Sequence, residues 1–127
     1  MSYQLKYDAN SITGSAAQDF SLITGPVFIA TDATNRAIVS TATTIPVGIL
    51  ENAPPLGSIC SVSYAGITKL TVDGLYPKGT FLVPTSVGLG KGVGTDATCI
   101  YTYPYIKAVT LDDSTAANDI VTVRIIN

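Results

Sequence analysis

The chain has no histidine and no tryptophan, and only 7 lysines and arginines against 9 acidic residues in 127. Without imidazole the commonest general base is missing, and with it the usual catalytic triads and most zinc chemistry. Charged residues are 13% of the chain, about half the share in an ordinary soluble domain. The net charge of −2 offers no electrostatic footprint for nucleic acid or an anionic membrane. Long apolar runs are lacking too, as is a basic stretch leading into an apolar one, so neither a spanning helix nor a secretory signal is expected. Two cysteines, Cys60 and Cys99, are too few for a disulfide framework and read as reduced thiols packed as small hydrophobes. Finally, no stretch of ten or more residues keeps a 3.6-residue period, which argues against a helical core. Only Ser15 to Phe20 and Ser114 to Asn118 could each form a single helical turn.

What the sequence does contain is strands and turns. Val27-Phe-Ile-Ala30, Ile59-Cys-Ser-Val-Ser-Tyr64, Thr68-Lys-Leu-Thr-Val72 and Ile120-Val-Thr-Val-Arg-Ile-Ile126 are short, β-branched and partly alternating. Thr24-Gly-Pro26, Pro54-Pro-Leu-Gly57, Asp73-Gly74, Pro77-Lys-Gly79 and Asn118-Asp119 punctuate them. Short strands at this spacing predict an all-β fold, a small barrel or sandwich. Gly48-Ile-Leu followed by Ser58-Ile-Cys-Ser-Val62 is echoed by Ala108-Val-Thr followed by Asp119-Ile-Val-Thr-Val123, and Gly25-Pro-Val-Phe-Ile is echoed more weakly by Gly79-Thr-Phe-Leu-Val. The echoes predict two related halves, about 25–66 and 79–127, within one β-domain spanning 25–127. Residues 1–24, with their run of small polar side chains, read as an extended N-terminal arm or as an edge strand folded back on the domain.

Candidate sites are sparse. Asp112-Asp113 sits in a long turn with no calcium-loop pattern around it. The glycine run Val87-Gly-Leu-Gly-Lys-Gly-Val-Gly94 lacks the spacing and the Ser or Thr of a phosphate loop, and reads as a hairpin tip or as a place of close approach. In Tyr101-Thr-Tyr-Pro-Tyr105 an extended chain would put Tyr101, Tyr103 and Tyr105 on one face, to fill the core, form a subunit interface, or stack on sugars or bases. No catalytic residue, metal site or cofactor is expected.

One resemblance reaches further. Gly25-Pro-Val-Phe-Ile-Ala-Thr-Asp, Pro46-Val-Gly-Ile-Leu with its loop to Gly57, Gly66 before Leu70-Thr-Val-Asp-Gly, Pro77-Lys-Gly-Thr-Phe-Leu-Val and Lys107-Ala-Val running to Val121-Thr-Val resemble the capsid decoration, or cement, proteins of tailed bacteriophages. The resemblance covers roughly residues 22–127. The family's usual Gly-Asp-Val step is Gly25-Pro26-Val27 here, and its second Val-Gly or Ile-Gly is Lys107-Ala108. It implies a non-enzymatic protein, often a homotrimer, made in the host cytoplasm and placed on the outer surface of the virion's capsid, where it bridges neighbouring copies of the major capsid protein. An arm of this kind could add a strand to the shell, with Tyr3, Leu5 and Tyr7 as alternate anchors. The different class that fits the tyrosines is a carbohydrate- or receptor-binding β-module of a virion fibre or spike.

Overall fold

The computed structural model describes residues 9–23, 25–96, 98 and 106–126. Over these residues the chain is all β, without helix, so the two candidate helical turns are irregular turns instead. The strands are β1 (Ala9–Ser15), β2 (Phe28–Thr31), β3 (Ala37–Val39), β4 (Gly48–Leu50), β5 (Ile59–Thr71), β6 (Phe81–Pro84), β7 (Gly90–Gly94), β8 (Ala108–Thr110) and β9 (Ile120–Ile125). They pair antiparallel in the order β3-β2-β4-β5-β9-β8-β6-β7, and β1 pairs with β5 off this path. The result is one sheet curled into a half-barrel. In β9 the two-residue period of a strand is plain: Val121, Val123 and Ile125 are buried, while Ile120 and Arg124 face solvent.

The fold repeats itself bond by bond. In the β2–β3 turn Asp32 N–H donates to Arg36 O (2.9 Å) and Asn35 N–H to Asp32 O (3.0 Å); in the β6–β7 turn Thr85 N–H donates to Leu89 O (2.9 Å) and Gly88 N–H to Thr85 O (3.1 Å). Asn35 and Gly88 occupy the left-handed region at φ 63° and 80°. Glu51 N–H to Ser61 O is matched by Leu111 N–H to Thr122 O, both 2.8 Å. The isolated parallel bridge between Ala16 and Ala37 is matched by the one between Val72 and Gly90. The equivalence therefore includes β1: Ala16 N–H reaches Ser58 O at 2.8 Å as Val72 N–H reaches Asp119 O at 2.9 Å. One unit comprises β1 to β4 and the first part of β5; the other comprises the second part of β5 and β6 to β9.

Two expectations are corrected here. The strands read separately over 59–64 and 68–72 are one strand of 13 residues. It survives the small Ala65-Gly66 step by a bulge: Asn10 pairs Ala65 but Ser11 pairs Ser63, leaving Tyr64 opposite no residue of β1, and Gly66 takes φ 89°. Nor is the chain over residues 9–23 an extended arm. β1 is a paired strand, the folded-back alternative, and Ala16 and Phe20 beyond it are 0% exposed. The physical reason is that β5 would otherwise present a bare edge over 59–66, and Phe20 a bare ring.

Each unit has its own core. Ala16, Phe20, Ile29, Leu50, Cys60 and Val62 form the first, and Leu70, Val72, Leu82, Val121, Val123 and Ile125 anchor the second. Cys60 carries a free thiol, and burial pushes its pKa up; Cys99 lies outside the described residues. The place of Cys60 in the first unit is that of Val121 in the second. Cys60→Val is therefore expected to change stability by less than about 1.5 kcal/mol, measured by urea denaturation. Peptide mapping after alkylation should find Cys60 unlabelled until the chain unfolds, because a buried protonated thiol is neither accessible nor nucleophilic.

Candidate interface surfaces

Among the described residues most acidic side chains hold turns. Asp112 Oδ2 accepts Thr122 N–H at 3.1 Å, while its neighbour Asp113 accepts Lys78 N–H at 2.7 Å, so the adjacent pair serves two different segments. Asn52 occupies the place of Asp112 in the first unit and accepts Ser61 N–H at 2.9 Å. Asp32 accepts the N–H groups of Thr34 and Arg36, both at 2.9 Å, and pairs with the Arg36 guanidinium at 3.4 Å. Among the described residues no group of three or more histidine, cysteine and carboxylate side chains could hold a metal ion.

These contacts have a titration consequence. Backbone N–H donors hold Asp32 (from Arg36), Asp112 (from Thr122) and Asp119 (from Thr115) below the usual carboxylate range. A carboxyl with a lower pKa folded than unfolded gives stability that is complete above its unfolded value and lost as pH falls. The thermal midpoint is thus expected to be flat from about pH 7 to 5 and to fall below about pH 4. Asp112→Asn, which copies Asn52, should lower the neutral-pH midpoint slightly and remove its own share of the acid loss, since the amide accepts the Thr122 N–H without the charge.

The glycine run is divided between tip and strand. Gly88 makes the turn, and Gly90 to Gly94 form β7. The close approach is made by side chains: a Cβ at Gly90 would meet Leu70 at 2.9 Å, and one at Gly92 would collide with the ring of Tyr76. The Tyr76 hydroxyl in turn donates to Asp73 Oδ1 at 2.5 Å. Gly90 and Gly92 thus admit a leucine and a tyrosine.

What the molecule presents instead is apolar surface. Leu22 and Leu56 are 87% and 63% exposed on turns that meet through Phe20 N–H to Pro54 O (2.8 Å) and Gly57 N–H to Ala16 O (3.0 Å). Leu75, Ile59 and Ile120 are also largely exposed. A groove of about 320 Å³ runs beside Ile23, Gly25, Pro26 and Leu50, with Glu51 and Asn52 as its polar wall. A second, small cavity of about 60 Å³ opens at Gly14 between Ile29, Asn35, Ala37 and Val62.

The interface residues expected from sequence, Tyr3, Leu5 and Tyr7 and also Tyr101, Tyr103 and Tyr105, lie outside the described residues. The duplication nevertheless says something about the second set. The shift between equivalent positions is 53 residues at the β2–β3 and β6–β7 turns (32 to 85) and 60 at β4 and β8 (50 to 110). Seven residues are therefore extra between β7 and β8, in the stretch that contains the tyrosines. Sequence reading missed the Gly14 cavity altogether, because its lining residues are scattered over four segments.

No protein-family model matches the chain, and no curated protein matches its sequence. Among solved structures it is similar to the head fiber gp8.5 N base in bacteriophage phi29, with a TM-score of 0.56 and 12% sequence identity over 93% of this chain and 94% of that one. The likeness is one of fold, and it extends over almost the whole of both chains.

Proposed function

We propose that this chain is a structural protein of a tailed-phage head, which docks on the outer surface of the assembled shell and bridges neighbouring major capsid subunits as a homotrimer. The observation that carries the reading is the fold shared with a phage head fiber base over 93% of the chain. The chemistry agrees with it: Asp32, Asp112 and Asp113 hold turns, and Leu22, Leu56, Leu75 and Ile59 present apolar surface. A protein that binds only the assembled lattice stabilises it by mass action, about 2.7 kcal/mol per site at a hundredfold excess over Kd. Repeated over many sites, this small quantity becomes a large resistance to disassembly.

The test is to sediment undecorated shells of the cognate phage with purified protein. Saturable co-sedimentation and a higher shell melting temperature are expected; protein left wholly in the supernatant would refute the reading. A second reading is favoured by the fiber in the comparison itself: the chain is a fibre or spike module that binds a carbohydrate or receptor through the tyrosine segment. Binding on a glycan array that is lost in Tyr103→Ala, without shell binding, would establish that alternative.

A further inference from the structure

The two units of this chain meet head to tail. Phe28 and Ile49 of the first unit are buried in one cluster with Leu70, Leu82 and Val123 of the second. Two backbone bonds fix the contact: Phe28 N–H donates to Gly88 O at 2.8 Å, and Thr71 N–H to Pro26 O at 2.9 Å. Gly25 is a glycine at this seam because a Cβ there would stand 2.5 Å from Thr71 Oγ1. One face of one unit is thus the plug and a different face of the other is the socket.

A contact between unlike surfaces of two equivalent units leaves one of each unused. The unused plug is in the second unit, where Phe81 stands at the position of Phe28 and is half-buried where Phe28 is 0% exposed; Val109, at the position of Ile49, is already covered at 8% exposure. The unused socket is in the first unit. There Gly14, Ile29, Asn35 and Val62 stand at the positions of Leu70, Leu82, Gly88 and Val123, and these same four residues line the 60 Å³ cavity. The cavity is the counterpart of the place that Phe28 fills next door.

We propose that a second copy of this chain fills it: Phe81 of one copy seats in the Gly14 socket of the next, repeating between chains the contact that already joins the two units within one. Ser15 N–H to Gly79 O is then the counterpart of the Thr71–Pro26 bond above, whereas the backbone of Phe81, unlike that of Phe28, is already paired with Gly94 of β7, so the ring of Phe81 makes the contact between chains. Because the interface is heterologous, copies add in one direction and close into a ring if the rotation between units allows it. The surface named does not depend on shell binding, so a protein that assembles this way and ignores shells would overturn the function proposed above and leave this inference standing.

Sedimentation velocity on the full chain decides it. Gly14→Glu puts a carboxylate at the socket mouth, where a Cβ meets nothing within 4 Å, so the fold should tolerate it. Phe81→Glu spoils the plug. Each is expected to weaken assembly more than about tenfold, as expected for a desolvated hot spot. Gly14→Leu, which copies Leu70, should assemble at least as well as wild type. Mixed in equal amounts, the two glutamate variants should form a dimer and nothing larger, since one retains only a plug and the other only a socket. Circular dichroism checks that each is folded, and Phe81→Ser replaces Phe81→Glu if that variant is not. A wild-type chain monomeric throughout the micromolar range, a folded Gly14→Glu that assembles like wild type, or a mixture that yields no dimer would each overturn the proposal.

Discussion

Deleting residues 1–20 is expected to leave no cooperatively folded domain. The segment takes with it the seven residues of β1, which pair with β5 from Ile59 to Gly66. It also removes Ala16 and Phe20, both 0% exposed in the first core. Losing the buried ring alone costs about 3–5 kcal/mol, a bare strand edge adds to that, and a whole domain has only about 5–15 kcal/mol to lose. Circular dichroism of the truncated chain should show no sharp thermal transition. If it melted cooperatively within a few degrees of the full chain, β1 would be an accessory and the bond-by-bond duplication would have no energetic meaning.

Phe28→Ala should be the costliest single truncation across the seam between the units. Phe28 lies in the second unit's core while its backbone belongs to the first, so removing the ring opens a cavity and loosens the seam together. About 3–5 kcal/mol is expected by urea denaturation of the monomer. Phe81→Ala, the same change at the equivalent position, should cost about 1–2 kcal/mol in the monomer, because a half-buried side chain loses only part of its transfer energy. Equal costs would mean that the two positions are packed alike, against the asymmetry in their burial.

Much of the fold was legible because strands announce themselves locally. The β-branched runs at 27–30 and 120–126 and the proline and glycine turns between them require only their own neighbours to be read. The echo of Gly48-Ile-Leu in Ala108-Val-Thr falls on β4 and β8, after which Glu51 and Leu111 make matching bonds. It failed at the beginning of each unit because Ser11 to Ser15 and Ile67 to Thr71 share a backbone role and hardly any side chains: Gly14 stands where Leu70 does. A repeat held together by main-chain bonds leaves little trace in residue identities. For the same reason small polar residues at 9–15 looked like an arm, although a backbone edge is all that β5 requires there. The site was less legible still. Phe28 reads as an ordinary core residue, and no local pattern says that it crosses into the other unit, since that depends on the bend of β5 at Tyr64 and Gly66.

That bend lies where the start of β1 and the end of β9 meet. Gly66 is the partner of Ala9 in β1 and of Ile125 in β9. With one strand spacing on either side, the two positions are about 10 Å apart. Between Ala9 and Ile125 the polypeptide is therefore nearly a closed loop, and a linker of a few residues could join these two positions and allow new termini to be opened elsewhere, for instance at the exposed tip of the β6–β7 turn. It also means that anything joined to the chain before Ala9 and anything joined after Ile125 would leave from a single point on the sheet. Cargo attached at either of these two positions would be displayed at one address.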